Sequence, residues 1–490
     1  MAEFVRHRIP FEGRRAVTAP ATCAQRHIWK LMQSQLPDAA FYDVCYWTAL
    51  PGHGTVQDLL DVLAELFRRH ESLRTGFRWD ADGGLFQQVV DSGEFVAEVW
   101  SLHRDEDPDS VLRAWRSRMR HTPFESARAP LIRFLVTVVD GAPVLAGFCV
   151  SHLVADLTSL RLLADEVPRL LDARVAGRSL PPAVPSRQPV EQARLEHSPR
   201  GRALLARART YWERQLASAP ATLLPPRDGA DGADGVDGAD RAHGVDGQAV
   251  PVRYSAVMDS RAVGLAVPVL ARRWRVSTSA VLLTVVAKLL GRRAGLPTCA
   301  LRLLSANRSD PELRATIGNL HTEVIVTIGL EGDRIEDVAR RAFAACTTAY
   351  ANALHDPDDV AELIASAHGP GVPVDLSYCF NDVREAHALP DAAEGRGRAP
   401  DDAALLRAAM ADTVVAPGEF EEGETFFLVI DDEDPGWIRL VLNAERRALT
   451  PSEVHGFLYE VERSLVEYAG AAERIGEEEA GGVGSQATVA

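Results

Sequence analysis

Residues 144–157 read V-L-A-G-F-C-V-S-H-L-V-A-D-L, an apolar run that stops abruptly at Ser151 and His152. Val, Leu and Phe in such a short run are typical of a buried β-strand. A histidine at the end of a strand, with Asp156 four residues later, lies where a general base is both rigidly held and reachable. Strand alternation places His152 on one face of the strand, and Cys149 and Ser151 on the other.

The spacing H-x-x-x-D is not specific by itself, because the chain contains it four times. The other three examples lie in polar, charge-rich sequence: His103/Asp107, His355/Asp359 and His387/Asp391. Only His152 follows a strand-like apolar run. From this segment alone, two interpretations of His152 stay open, a general base and a core-edge histidine with a satisfied hydrogen bond.

Composition narrows the class of protein. The chain has 490 residues, of which 46% are apolar and 25% charged, as in soluble globular proteins. Its net charge of −16 argues against nucleic acid and anionic membranes as partners. Neither a long apolar run nor a signal-peptide pattern is present, so we expect a cytoplasmic protein. Without C-x-x-C pairs, the cysteines predict reduced thiols and no metal site: Cys23, Cys45, Cys149, Cys299, Cys346 and Cys379.

Strands and helices are mixed along the whole chain, which predicts an α+β fold. Residues 131–139 and 144–150 are expected to form a hairpin across Asp140-Gly141. Helices are predicted at 157–176, 191–216 and 451–468, and a loop of weak pattern at 384–418.

An Asp-Gly-Ala repeat at 225–250 cannot bury a core and predicts a flexible linker or insertion. Its aspartates resemble calcium loops only superficially, because the bidentate glutamate of such loops is missing. The predicted domains are an N-terminal lobe at 1–224 that carries S-H-L-V-A-D-L, the linker at 225–250, a C-terminal lobe at 251–470 and a disordered tail at 471–490.

Several short motifs together resemble the signatures of nonribosomal peptide synthetase condensation domains. S-H-L-V-A-D-L occupies the place of their H-H-x-x-x-D-G signature. The others follow in the family's order: A-T-C-A-Q-R-H-I-W, R-H-E-S-L-R-T-G-F, T-Y-W-E-R-Q-L, S-A-N-R, I-G-N-L and V-D-L-S-Y-C-F-N. The resemblance covers roughly residues 18–470. It implies two chloramphenicol-acetyltransferase-like lobes that form a V-shaped pseudo-dimer with a tunnel between them.

The resemblance also implies roles for matching residues. His152 matches the functional histidine, which either takes a proton from the acceptor or orients it during attack on a thioester. Asp156 matches an aspartate that mainly supports structure, and Arg308 of S-A-N-R is its expected partner in a bidentate pair.

Three positions depart from the family pattern. Ser151 replaces the first histidine, which mostly supports the site, so we expect this change to be tolerated. Leu157 replaces a glycine and adds bulk at the expected tunnel wall, which puts the usual pantetheine path or substrate size in question. Thr322 replaces an asparagine, and His321 before it brings a second imidazole, either to the tunnel wall or to a packing role.

The sequence therefore predicts a free-standing condensation enzyme of natural-product biosynthesis that forms an amide or ester. Its donor is an acyl or aminoacyl thioester on the phosphopantetheine of a carrier protein supplied in trans, and its acceptor is a small amine or alcohol. No bound cofactor or metal is expected. Two alternatives stay open: an acyltransferase that uses acyl-coenzyme A, and a catalytically silent recruitment module. The arginines of the predicted helix 109–121 either contact an acidic carrier or form a solvated face.

Overall fold

A computed structural model describes residues 4–34, 42–80, 83–225, 252–332, 334–367, 374–384, 403–418, 424–432, 434 and 436–482. The predicted linker at 225–250 lies outside these residues except for Pro225. The described chain is α+β, as predicted. It divides into two compact units: unit 1 comprises Met1–Arg209, Ser305–Thr322 and Ala353–Val360, and unit 2 comprises Thr210–Leu304, Glu323–Asn352 and Ala361–Ala490.

Unit 1 is built on two sheets. Its strands are β1 (Phe4–Glu12), β2 (Val17–Pro20), β3 (Asp43–Ala49), β4 (Thr75–Trp79), β5 (Leu85–Val89), β6 (Ser92–Leu102), β7 (Ile132–Val139) and β8 (Ala142–Ser151). Five of them form a sheet in the order β1-β6-β7-β8-β3, and the other three pair in the order β2-β5-β4.

The helices of unit 1 are α1 (Cys23–Ser34), α2 (Val56–Arg69), α3 (Pro108–Met119), α4 (Leu157–Val175), α5 (Pro189–Glu196) and α6 (Pro199–Ser218), the last of which runs into unit 2. Of these helices, α2, α3 and α4 pack on the larger sheet and α5 packs on strand β2 of the smaller one. One sheet face packs in a core that includes Leu63, Phe67, Phe148 and Leu160. The other face packs against Leu112 and Trp115 of α3. Both faces of β8 are thus buried.

Unit 2 is organised around one seven-stranded sheet in the order β11-β10-β12-β14-β15-β9-β13. The strands are β9 (Arg253–Ser260), β10 (Thr298–Ser305), β11 (Thr322–Gly329), β12 (Tyr378–Asp382), β13 (Val414–Pro417), β14 (Phe426–Asp431) and β15 (Ile438–Glu445). The helices are α7 (Arg261–Trp274), α8 (Thr278–Ala294), α9 (Ile335–Tyr350), α10 (Pro357–Ser366), α11 (Ala403–Ala409) and α12 (Pro451–Gly482), of which α10 begins in unit 1.

The predicted hairpin is present, and the conformation of its turn explains how β7 and β8 are joined. Asp140 and Gly141 have φ of 51° and 84°, so β7 and β8 join through a two-residue turn with both residues left-handed. Antiparallel register pairs Ile132 with Val150. This hairpin fixes where β8 ends and therefore where His152 lies.

Two predicted elements are wrong. The single helix at 191–216 is two helices, α5 and α6, because the chain breaks at Ser198, whose Oγ accepts the Gly201 N–H at 3.1 Å as Pro199 begins α6. Residues 385–402 of the predicted loop at 384–418 lie outside the described residues, and its described part contains α11 and β13.

The predicted tail at 471–490 overlaps the end of α12, and residues 483–490 lie outside the described residues. Segments 305–322 and 353–360 of the predicted C-terminal lobe cluster with unit 1, and 210–224 of the predicted N-terminal lobe clusters with unit 2. In the described part of the chain, no single helix is long and apolar enough to span a membrane. Only α7 and α8 taken together, with a bend of 99° between them, meet that criterion.

Candidate active site

His152 follows directly on β8, in the short loop that joins this strand to α4. Two hydrogen bonds hold the loop at Val154: its N–H donates to the Ser151 carbonyl at 3.0 Å, and its carbonyl accepts the Ser72 hydroxyl at 2.5 Å. Leu153 and Ala155 are fully buried, whereas the His152 side chain is partly exposed. A rigid loop therefore presents an imidazole that solvent or substrate can reach.

Asp156 ends this loop and caps α4. Its Oδ1 accepts both the backbone N–H and the hydroxyl of Ser159, each at 2.8 Å. Its Oδ2 accepts the Leu320 N–H at 3.1 Å. The carboxylate thus satisfies orphan donors of α4 and also ties that helix to the segment 316–322.

Arg308 supplies the counter-charge. Its Nη2 donates to both Asp156 oxygens, at 2.7 and 3.0 Å, while the two side chains are only 8% and 5% exposed. Its Nη1 donates to the carbonyls of Leu313 and Thr316 at 2.9 and 2.7 Å. The expected two-nitrogen fork is therefore not formed, since the second nitrogen is used to fold the 308–316 loop onto its own arginine.

The pKa of Asp156 is lowered. Burial acts to raise it, but the Arg308 charge and the hydrogen bonds from Ser159 and Leu320 outweigh burial. Asp156 is consequently ionised at neutral pH and acts as a structural anion rather than as an acid.

Ser159 and Gly318 complete this network; Gly318 belongs to the motif I-G-N-L, whereas no motif pointed to Ser159. The Ser159 hydroxyl lies 2.8 Å from the Gly318 carbonyl and 3.0 Å from the Gly318 N–H, and Arg308 Nη2 donates to it at 2.9 Å. Asn319 adds a further link, because its amide donates to the Ala24 carbonyl at 3.2 Å and its Oδ1 accepts the His321 N–H at 3.1 Å. These bonds fix the backbone that carries His321.

His321 lies beside His152, with ring centroids 5.5 Å apart and planes inclined at 37°. Two further histidines, His27 of α1 and His355, extend this group. The ring centroid of His27 is 6.5 Å from that of His321 and also 6.5 Å from that of His355. His355 is buried, and its Nδ1 is 3.0 Å from the Ala353 carbonyl. Sequence reasoning singled out His321, but nothing in the pattern connected it with His27.

The surroundings of His152 favour its neutral form. Burial first, and then the neighbouring His321, lower the pKa of His152 to about 4, although Asp156 and the backbone carbonyls of His152 and Ala155 act in the opposite direction. An imidazole with this pKa is unprotonated at pH 7 and has a lone pair available to accept a proton.

The remaining predicted site residues lie around this centre. Ser151 is fully buried on the other face of β8, directly opposite Asp43 of β3. Leu157 is the first residue of α4 and lacks positive φ, so the backbone here does not demand the glycine of the family pattern. Thr322 is buried at the start of β11. Among the described residues, no group of three or more His, Cys, Asp or Glu side chains is arranged to hold a metal ion.

A family model for the condensation domain matches residues 16–345, about two thirds of the chain, and includes His152, Asp156, Arg308 and His321. The chain belongs to the condensation domain family.

Proteins similar to this condensation domain include peptide synthases and synthetases much longer than the chain. The chain is 27% identical over 334 residues to chondramide synthase cmdD of Chondromyces crocatus, a match that covers 67% of the chain but only 8% of that synthase. The chain therefore spans a small part of such a relative.

Solved condensation domains share the fold. The first condensation domain of the calcium-dependent antibiotic synthetase, in complex with a substrate analogue, aligns with a TM-score of 0.67 at 18% identity over 93% of this chain and 96% of its own. The starter condensation domain of rhizomide synthetase, in complex with C8-CoA and Leu-SNAC, aligns with a TM-score of 0.65 at 16% identity over 92% and 94% of the two chains. At such identities the likeness describes the fold.

Proposed function

We propose that this condensation domain transfers an acyl or aminoacyl group from a phosphopantetheine thioester to an amine, or to a hydroxyl, with His152 as the proton acceptor. The acceptor nitrogen or oxygen attacks the thioester carbonyl while His152 takes its proton. The carbon–sulfur bond then breaks, and the proton passes to the departing thiolate. One amide or ester bond forms for each thioester consumed.

One observation carries this proposal: His152, a partly exposed residue with a neutral imidazole, lies in a loop whose last residue, Asp156, is fixed by a buried ion pair. A base must be unprotonated before the reaction and must keep its direction during it. Burial beside His321 supports the first condition, because it lowers the pKa of His152 to about 4. The hydrogen bonds that Asp156 accepts from Arg308 and Ser159 support the second condition, because they immobilise the end of the loop.

The donor is either carried by a protein or free. A carrier-bound thioester is the first candidate, because condensation domains work with carrier-bound substrates and the similar proteins include peptide synthetases. An acyl-coenzyme A thioester is the second candidate, since the rhizomide starter domain of the same fold was solved with C8-CoA. Both donors end in phosphopantetheine and expose the same thioester to His152.

A silent recruitment module is the competing function from another class. Such a module has no need for a neutral imidazole beside a buried Asp–Arg pair, whose ions are costly to desolvate. The complete set of His152, Asp156 and Arg308 favours an enzyme.

The test mixes the protein with a separately expressed carrier loaded with an acyl or aminoacyl thioester, and in parallel with acyl-coenzyme A, in the presence of amine or alcohol acceptors. Mass spectrometry of the carrier and of the small molecules detects donor loss and product. The expected result is acceptor acylation that depends on His152. As a matched control, His103→Gln changes an exposed histidine with the same H-x-x-x-D spacing. Absence of transfer from both donors to every acceptor would refute an acyl-transfer function.

A further inference from the structure

Two cysteines face each other across neighbouring strands of unit 1. In the antiparallel register of β3 and β8, Cys45 is the direct partner of Cys149. Both lie on the sheet face that packs against α3, where Cys149 is buried and Cys45 is partly exposed. This face is opposite to the one that carries His152, so the mechanism proposed above does not use either thiol.

The hydrogen-bond pattern shows which kind of cross-strand pair this is. Leu50 donates its N–H to the Val144 carbonyl at 2.8 Å, so Leu50 and Val144 form a hydrogen-bonded pair. Hydrogen-bonded and non-hydrogen-bonded pairs alternate along an antiparallel ladder, and the register therefore makes Cys45/Cys149 a non-hydrogen-bonded pair. Side chains approach each other most closely at such pairs, where Cα atoms are about 4.5 Å apart. That separation lies within the range of about 4.4–6.8 Å that a disulfide spans.

The two thiols are already in contact. The Cys45 and Cys149 side chains lie within hydrogen-bonding distance of each other. Both are free in the structure. Neither backbone needs to move far for a sulfur–sulfur bond to form.

The charges around the pair favour a thiolate at Cys45. Arg116 and Arg120 approach from α3 and its end, and Arg133 approaches from β7, where it is the register partner of Cys149. Arg116 also stacks on Trp47, at 5.1 Å from the ring centroid, which holds its guanidinium beside β3. The hydrogen bond from Cys149, together with these arginines, lowers the pKa of Cys45 against the effect of burial.

The acidic neighbour does not cancel this effect. Asp43 lies two residues before Cys45 on the same face of β3, and burial raises the pKa of Asp43 to about 8. Its carboxyl group is thus mainly protonated at neutral pH. The hydrogen bond with Cys45 and burial meanwhile raise the pKa of Cys149, so this thiol keeps its proton.

We propose that Cys45 and Cys149 form a reversible redox site, with Cys45 as the thiol oxidised first, Cys149 as the resolving thiol and a hydroperoxide as the oxidant. The Cys45 thiolate attacks one peroxide oxygen, which breaks the oxygen–oxygen bond and gives a sulfenic acid and, after protonation, one water. The Cys149 sulfur then attacks the Cys45 sulfur and expels a second water. Two thiols and one hydrogen peroxide become one disulfide and two waters.

The disulfide would join edge strand β3 to β8 three residues before His152. The other described cysteines lack this arrangement. Cys346 is the best comparison, because it is also partly exposed, yet burial raises its pKa to about 12. It serves as a matched control for exposure without a thiol partner across a strand.

The experiment treats the full chain with stoichiometric hydrogen peroxide, blocks free thiols with N-ethylmaleimide and maps peptides without reduction. The expected result is a peptide pair linked through Cys45 and Cys149 that dithiothreitol releases. Cys45→Ser and Cys149→Ser should each abolish the linked pair, whereas Cys346→Ser should leave it unchanged. A linked pair of other cysteines, or over-oxidation of Cys45 without a link, would overturn the proposal.

A second measurement guards against variants that fail to fold. In the reduced wild-type protein, Cys45 should react with iodoacetamide faster than Cys346 at pH 7. Replacing Arg116 and Arg120 with Gln should slow the Cys45 reaction by about two- to ten-fold, because less of it is thiolate. Equal rates for Cys45 and Cys346 would contradict the assignment of Cys45 as the thiol oxidised first.

Discussion

Breaking the Asp156–Arg308 pair from each side should show how strongly it holds the site. In Asp156→Ala, the Arg308 guanidinium stays buried without its counter-charge. The free energy of unfolding should therefore fall by about 3–5 kcal/mol. The same change removes the cap of α4, which adds about 1 kcal/mol. Arg308→Ala should lie at the lower end of that range, because Asp156 keeps the donors of Ser159 and Leu320.

The double variant decides whether the two residues act together. Each single change leaves one buried charge unpaired, whereas the double change leaves none. The loss in the double variant should therefore be about 1–3 kcal/mol smaller than the sum of the two single losses. Denaturant titration of all four proteins gives the four free energies.

A matched control uses an exposed pair. Arg340 Nη1 lies 2.9 Å from Asp337 Oδ1, and the two side chains are 55% and 50% exposed. The same set of two single variants and one double variant at this pair should give a coupling free energy below about 1 kcal/mol. Strict additivity at Asp156 and Arg308 would refute the reasoning, because it would mean that the guanidinium does not depend on this carboxylate.

Three further outcomes are expected. The pKa of His152 is about 4 in the folded chain and higher in the unfolded chain, so the free energy of unfolding should rise with pH between about 4 and 6.5 and fall as pH drops through that window. Urea midpoints of wild type and His152→Gln across this range measure the effect. Equal pH dependence of the two proteins would contradict it. His321→Ala should move the acidic limb of the pH profile of kcat/KM to higher pH, because it removes a neighbour that lowers the pKa of His152. An unchanged limb would show that His321 does not lower the pKa of His152. Gly318→Ala should reduce turnover at least about ten-fold, because the added Cβ would lie 2.8 Å from the Pro189 ring and displace the backbone of His321. The control Gly329→Ala, which adds its Cβ in open space, should have wild-type turnover. Wild-type turnover in Gly318→Ala would show that the segment adapts.

Local patterns predicted local structure well. The turn at Asp140 and Gly141 and the strand that ends at Ser151 both follow from alternation and turn chemistry, which act over a few residues. The helix at 191–216 was wrong because helical periodicity continued across Ser198, where a hydroxyl cap and Pro199 start a new helix.

The site was less predictable, because its contacts join distant parts of the chain. The family motifs pointed to Asp156 and Arg308, which are 152 positions apart and in direct contact. The motifs gave no indication of Ser159, of its contact with Gly318 or of the approach of His27 to His321, since these depend on how the 316–322 segment folds. Strand register is likewise hard to derive from sequence, so the meeting of Cys45 and Cys149 could not be foreseen.

The central claim is that His152 accepts the proton during acyl transfer, and the turnover of His152→Gln tests it most directly. Mass spectrometry should follow product formation from a thioester-loaded donor by wild type, His152→Gln and His103→Gln, with circular dichroism to establish that all three are folded. We predict that turnover falls by about 10²–10⁴-fold in His152→Gln and stays unchanged in His103→Gln. Wild-type turnover in a folded His152→Gln protein would contradict the claim and favour a role in recruitment.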